Sequence, residues 1–482
     1  MARSVYLETF GCQMNTLDSE LVLGQLRAQG YQAVDDCQQA DVILYNTCSV
    51  RDHAEQKVRS RLGELRFLKR KRPGMIIGVL GCMAEREGDH LLHKYPHVDV
   101  LCGPAELDKL PLLLHNAAIG GRQVALMGRG VRRSGTRQAA EDNLEMLDLS
   151  RSMSLGQSPA QAYVRVTRGC DKFCSYCIVP FTRGPEVHRP PQNIIDDVKR
   201  LVAAGAREVT LLGQTVNHYA YQHGDGRTTG FADLLYQIHE SATDLPRLRF
   251  VTSFPRDFTI QTLQVMRDCR RICRYLHLPA QSGSNRVLGL MNRGYTVEQY
   301  RDLIDQARSS MSDVSVASDF IAGFPSETDD DHAASLELIR YCGFKNSFIF
   351  KYSPRPGTAA VRRLKDDVPD VVKRRRNNQM LAVQAEVSAQ LNQAMVGQSV
   401  RVLVEGSSKL AQKAGSPSLV QLGVAGRGLA APLATAGPSQ LVGRTGGDQI
   451  VVFDGPSALA GQIVNVRIIE ARQMTLVGEL QA

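Results

Sequence analysis

No apolar run in this 482-residue chain approaches the ~18 residues needed to cross a bilayer, which excludes a membrane-spanning helix and, with it, a membrane partner. The opening stretch MARSVYLETF lacks an apolar h-region and a small-residue cleavage site and reads as a strand, so a secretory signal is not expected. The chain also lacks the composition of disorder: 43% of its residues are hydrophobic and 22% charged, which is enough for a packed core. The compartment these absences imply is the cytoplasm. Thiols stay reduced there, and unusual cysteine patterns more often mean metal or catalysis than disulfides. Eleven cysteines therefore need a chemical explanation.

A single core stops growing at about 250 to 300 residues, so this length predicts two or three domains. From Val5 to about Leu114 the apolar runs VYLETF, DVILYNT and MIIGVLG alternate with helical spacing at Asp18 to Gln29 and Ala54 to Lys69. That is the pattern of an α/β domain with a mostly parallel sheet. Arg129 to Pro159 loses the periodicity, gains Ser, Gly and charge, and reads as an interdomain linker. A second α/β series follows, with candidate strands AYVRVTRG, REVTLLGQ, RLRFVTSF, YLHLPAQ, SVASDFIAGF and NSFIFKYS. Helical stretches such as Pro191 to Ala204 and Thr296 to Met311 lie between them. Six strand-helix repeats fit an open (β/α)6-type barrel. Asp370 to Ala394 is a charged helical connector. From Gly397 the segments VRVLVEG, QIVVFDG and IVNVRIIEA predict a small β-barrel, with Leu410 to Gln440 as an enlarged loop. The expected division is 1–120, a linker at 121–155, 156–390 and 391–482.

A formal charge of +9 and a pI near 9.0 suit a phosphate-rich partner, although a generically basic enzyme would carry the same charge. Lys373, Arg374, Arg375 and Arg376 on the connector fit either a solvated helix face or an RNA contact.

The segment RGCDKFCSYCIVPFTRG places Cys170, Cys174 and Cys177 in one turn-rich loop after the strand AYVRVTRG, at the end where barrels build active sites. Three closely spaced thiolates can wrap three corners of a 4Fe-4S cubane. A complete set takes four cysteines, and the loop has no fourth, so one iron is left for a non-protein ligand. Structural zinc is the rival, but it prefers two paired C-x-x-C-like sets or Cys/His sets. An open iron can chelate the amino and carboxylate groups of S-adenosylmethionine and release a 5′-deoxyadenosyl radical from it. Cys12, Cys48 and Cys82 each end a predicted strand, spaced by about one strand-helix-strand unit, and parallel crossovers would bring them to one sheet edge. Singly each would be a buried small residue. Together they suggest a second three-thiolate cluster. Cys37, Cys102, Cys269, Cys273 and Cys342 lack that placement and read as structural, with Cys269 and Cys273 spaced i, i+4 on a predicted helix.

The cysteine triplet with Tyr176 before its third member resembles the radical S-adenosylmethionine superfamily, and the resemblance implies that this ring packs near the adenine. It also implies that LLGQTVN, LPAQSG and DFIAGFPSET line the cofactor and substrate pocket, with Gln214, Gln281 and Gly323 as candidate contacts beside Tyr176. Further, FGCQMNTLDSE, NTCSVRDHAEQKV, GCMAE, RGCDKFCSYCIVPFTRGPE, QSGSNRVLGLMNRGYT and YSPRPGTAA together resemble the methylthiotransferase family from about Val5 to Gly357. The tail is similar to a TRAM RNA-binding domain. GCQMN, VRDHAE and YSPRPGTA resemble the branch that makes 2-methylthio-N6-isopentenyladenosine in tRNA, at position 37 beside the anticodon.

What this implies is two 4Fe-4S clusters and two uses of S-adenosylmethionine. One molecule gives a methyl group to sulfur at the auxiliary cluster, and another is cleaved to the radical that activates C2 of the adenine. Implied partners are tRNA, a flavodoxin- or ferredoxin-like electron donor, and iron-sulfur assembly or sulfur-carrier proteins. The rivals are a methylthiotransferase acting on threonylcarbamoyladenosine in tRNA or on a ribosomal protein, and a noncatalytic RNA-binding or electron-carrying iron-sulfur protein. Two positions depart from the family pattern: Phe254 stands where His is expected and Thr215 where Asn is expected.

Overall fold

A computed structural model describes residues 3–49, 52–127, 145–148, 151, 160–408 and 439–481. Most of the predicted linker, and all but the end of the predicted loop 410–440, lie outside the described residues.

The first unit is a parallel sheet of β1 (Ser4–Thr9), β2 (Gln32–Ala33), β3 (Val42–Thr47), β4 (Ile76–Gly81), β5 (Val100–Cys102) and β6 (Gln123–Ala125). Its order is β2-β1-β3-β4-β5-β6. The aliphatic runs of β3 and β4 are buried at every residue, as central parallel strands covered on both faces must be. The short strands β2, β5 and β6 carry too few residues to register as a period. The helix Gln13–Ala28 starts five residues before the predicted one, directly after Cys12, whose extended backbone makes it the N-cap.

The second unit contains β7 (Gln161–Arg165), the short antiparallel pair β8 (Thr167–Arg168) and β9 (Val187–His188), β10 (Glu208–Leu212), the pair β11 (Ala220–Gln222) and β12 (Thr228–Gly230), then β13 (Arg247–Phe250), β14 (Tyr275–His277), β15 (Ser315–Ala322) and β16 (Asn346–Lys351). β7, β10 and β13 form one parallel sheet and β14, β15 and β16 another. A single bridge, Leu248 to Ile272, and the bond from Ser253 N–H to the His277 carbonyl (3.1 Å) join them, so the six predicted strands make an open barrel. Helix starts follow the sequence: Thr296 with Gln299, and Thr328 with Asp331, form capping boxes.

The third unit is a closed barrel of β17 (Ser399–Ser407), β18 (Ser439–Thr445), β19 (Ile450–Gly455), β20 (Ile463–Ala471) and β21 (Leu476–Leu480). It sits against the amino ends of the central strands. Arg247, which opens β13, donates to the carbonyls of Arg401 (2.6 Å) and Arg444 (2.9 Å), and Lys345, just before β16, pairs with Asp448 (2.8 Å).

The first unit meets the opposite rim, and one carboxylate gathers three of the ties between them. Asp18, fully buried, accepts from Arg165 (3.0 Å), Arg168 (3.3 Å) and Arg183 (2.9 Å), all from the central unit. Burial pushes the Asp18 carboxyl upward, but Arg183, Arg168 and Arg165 outweigh it and hold it below the ordinary value. Within the predicted linker, Asp148 is likewise tied to Arg165 (2.8 Å) and Glu145 to Arg189 (2.9 Å). Asp18→Asn leaves three buried guanidiniums short of counter-charge. Breaking such a network costs about 3–5 kcal/mol, so thermal denaturation at neutral pH should show a clearly lowered midpoint. The wild-type advantage is present above the unfolded carboxylate value of about 3.9 and fades as pH falls through the lower folded one, so the two proteins should converge in acid.

Three expectations are corrected. The connector, a helix over Asp370–Gln393, presents only Arg374 and Arg375 of its basic run to solvent. Lys373 and Arg376 are buried against Asp366 (2.6 Å) and Glu327 (2.9 Å), while Arg374 and Arg375 pair with Asp370 (3.0 Å) and Asp329 (3.1 Å). Packing of this helix against β16 needs buried positions, and cations filling them need carboxylates. Cys269 and Cys273 do not share a helix, because the preceding helix Ile260–Asp268 ends before them and Cys269 is its C-cap. Cys102 does end a strand, β5, but its thiol turns to the Glu106 carbonyl (3.1 Å).

Candidate active site

Parallel register brings the first three cysteines together. Thr9 of β1 pairs with Asn46 of β3, and Thr47 with Gly81 of β4, so Cys12, Cys48 and Cys82 follow three adjacent strand ends at one level. Cys12 and Cys48 share a hydrogen bond, which with help from Arg183 lowers the Cys12 thiol to about 6 against the pull of burial. Burial raises Cys82, opposed by the positive charge of Arg183. Gly11 makes the approach possible. Its φ is +115°, and a Cβ there would lie 2.2 Å from that of Cys48.

The second set follows β7 and β8. The chain reverses at Gly169 (φ +75°), where a Cβ would lie 1.9 Å from the Pro185 carbonyl oxygen, and then turns tightly through Phe173 (φ +49°). Ser175 fixes the loop by donating from N–H to the Met291 carbonyl (2.9 Å) and from Oγ to the Leu290 carbonyl (2.8 Å). Arg293 closes it, donating to Cys174 Sγ (3.3 Å), Tyr176 Oη (3.4 Å) and the Pro279 carbonyl (2.9 Å). The motif MNRGYT is therefore the clamp on the cysteine loop. Burial raises Cys170 to about 12 and pushes Cys177 higher, each further raised by the charge of Cys174. Cys170 and Cys177, whose thiols are raised in this way, become thiolates only beside a compensating positive charge, such as a bound metal centre would bring.

Around this loop the candidate cofactor contacts are distributed unevenly. Tyr176 is edge-on to Phe324 (6.4 Å between centroids). Gln214, just past β10, has a buried Oε1 with no hydrogen-bond partner among the described residues, as an acceptor open to a ligand donor would. Gln281 (φ +69°) bridges to Phe320 through its backbone. The space a Cβ on Gly323 would need belongs to Lys373, so that glycine admits the connector helix.

Sequence reading missed several residues of this region. Glu186, buried, accepts from Thr215 Oγ1 (2.9 Å) and pairs with His218 Nδ1 (2.9 Å), a contact that raises the imidazole above its ordinary value. Thr215 thus has a role in a position where Asn was expected. Phe254, in place of the expected His, is buried under the guanidinium of Arg293 (4.4 Å). Glu55 of VRDHAE meets Arg86 (2.6 Å) and Arg355 of YSPRPGTAA (3.3 Å), which places two motifs 300 residues apart in one ion-pair cluster. None of these has a local spacing that would announce it.

An open β/α barrel carrying a three-cysteine loop at the carboxyl end of its first strand defines a radical S-adenosylmethionine protein. Residues 164–339 match the radical SAM superfamily, 4–103 the family described as "Uncharacterized protein family UPF0004", and 434–480 the TRAM domain. Among curated relatives, tRNA-2-methylthio-N(6)-dimethylallyladenosine synthases are 44% identical in Rhodopirellula baltica (100% of this chain, 96% of the relative), 39% in Bacteroides thetaiotaomicron (99% and 96%) and 38% in Syntrophotalea carbinolica (99% and 99%). This chain belongs to the tRNA-2-methylthio-N(6)-dimethylallyladenosine synthase family. Among solved structures, the radical S-adenosylmethionine methyltransferase TsrM from Kitasatospora setae shares the fold, with a TM-score of 0.50 at 14% identity over 75% of this chain and 77% of that one.

Proposed function

We propose that this chain is a cytoplasmic radical S-adenosylmethionine enzyme that adds a methylthio group to C2 of N6-isopentenyladenosine at position 37 of tRNA. The observation that supports it most is the pairing of two three-thiol sets, one at the barrel mouth and one at the sheet edge of the docked first unit. Radical chemistry alone needs one such site. A second suits delivery of sulfur. No helix among the described residues is long and apolar enough to cross a membrane.

In this reading Cys170, Cys174 and Cys177 hold the radical-generating 4Fe-4S cluster, and Cys12, Cys48 and Cys82 hold the auxiliary one. Bound there, the clusters and S-adenosylmethionine supply reductive radical generation, a methyl group and sulfur. The protein supplies position. Arg293 fixes the cysteine loop and Tyr176 together, Gln214 Oε1 offers a buried acceptor just past β10, and the Asp18 network ties the two units. Residues 1–120, 156–390 and 391–482, joined through 121–155, then divide sulfur supply, radical chemistry and RNA contact. A flavodoxin- or ferredoxin-like donor provides electrons, and iron-sulfur assembly or sulfur-carrier proteins renew the sulfur.

Reconstituted enzyme given isopentenylated tRNA, reductant and S-adenosylmethionine should yield the 2-methylthio nucleoside by mass spectrometry of the digest. No such nucleoside, with turnover on threonylcarbamoyladenosine tRNA or a ribosomal peptide, would replace this substrate by one of those.

A further inference from the structure

Arg183 lies between the two sites and belongs to neither by sequence. It ends the short helix Val179–Thr182, which follows directly on the Cys170–Cys177 loop, yet it is buried (3% exposed) among residues of the first unit. Nη2 donates to Asn15 Oδ1 (2.7 Å) and Asp18 Oδ2 (2.9 Å). Asn15 is itself bound to the strand ends that carry the auxiliary cysteines, donating to the carbonyls of Phe10 and Thr47 (2.9 Å each). The other terminal nitrogen, Nη1, is buried and has no hydrogen-bond partner among the described residues. The groups nearest this guanidinium are the Cys82 thiol, the Asp18 carboxylate and the Cys12 thiol.

A guanidinium needed only as a strut between units would use its fork on Asp18, because a charged N–H left unpaired in the interior is costly. Here one arm is spent on Asp18 and Asn15 and the other is withheld beside the thiols. A cluster held by three thiolates is anionic, and its sulfurs accept hydrogen bonds. Such bonds and nearby positive charge raise cluster potentials.

We propose that Arg183 is the electrostatic partner of the auxiliary cluster, donating from Nη1 to one of its sulfurs and holding its potential up. This rests on the auxiliary-cluster reading above. Because Arg183 is carried by the segment that leaves the radical-site loop, any shift of that loop moves the donor, and the two sites are coupled through one side chain.

The test uses the full-length chain with Cys170, Cys174 and Cys177 replaced by alanine, so that only the auxiliary signal remains. Iron content is measured with the midpoint potential by titration followed by electron paramagnetic resonance. Arg183→Gln should retain about four irons. At the unsubstituted background's midpoint its reduced-to-oxidised ratio should fall about tenfold, a one-electron shift of about 59 mV to lower potential. Arg183→Lys, which keeps the charge and loses the fork, should fall between. An unchanged midpoint in iron-loaded Arg183→Gln, or iron lost from both variants alike, would make Arg183 a strut and overturn the proposal. A background that binds no iron would remove the auxiliary cluster itself, and the proposal with it.

Discussion

Cys174→Ala is expected to reduce 5′-deoxyadenosine release, from reduced protein given S-adenosylmethionine, to the level of a protein-free control. Cys174 is the middle thiol of the loop, the one Arg293 donates to, and its charge acts on both Cys170 and Cys177. Two remaining thiols do not hold a site-differentiated cubane, so both the electron and the cofactor's anchoring iron are lost together. The folded protein should persist. The buried position of Cys174 (9% exposed) loses one sulfur atom, and a change of that size costs a few kcal/mol at most. Release of 5′-deoxyadenosine by well-folded Cys174→Ala at the wild-type rate would remove the radical role from this loop.

The second large effect separates the two sites. Wild-type protein reconstituted anaerobically should carry about eight irons and the Cys12/Cys48/Cys82 triple alanine variant about four. That variant should still release 5′-deoxyadenosine while forming no methylthio nucleoside, because the radical-site loop is fixed by Met291, Leu290 and Arg293, none of which touches the sheet edge. Equal iron in both proteins would argue against a second cluster. Loss of both activities with iron retained at about four would mean that the sheet-edge thiols act on the radical step itself.

The six candidate cysteines were legible because their pattern is local. C-x-x-x-C-x-x-C wraps one loop, and GC after an aliphatic strand repeats at Cys12 and Cys82 as parallel topology requires. The barrel was legible too, since its strands are long apolar runs separated by amphipathic helices. What stayed hidden depends on distance in sequence. Arg183 carries no signal of its own in TRG, because its partners Asp18 and Asn15 lie about 165 positions earlier. The acidic partners of Lys373 and Arg376 are likewise fixed by tertiary packing, so composition could not show that only Arg374 and Arg375 of the run face solvent. Strands as short as β5 carry no period, and Cys102 was misplaced for that reason.

The closed barrel's seat at the amino ends of the central strands acts as a ruler. The thiols lie at the carboxyl ends, and a five-residue strand such as β7 rises roughly 17 Å at about 3.3 Å per residue. A molecule held by both rims must therefore reach along the flank of the protein, which an isolated nucleoside is too small to do. Grip and chemistry are so far apart that they become separable quantities: weakening the lower rim should raise KM for a long RNA while leaving kcat, and the KM of a short fragment, as they were.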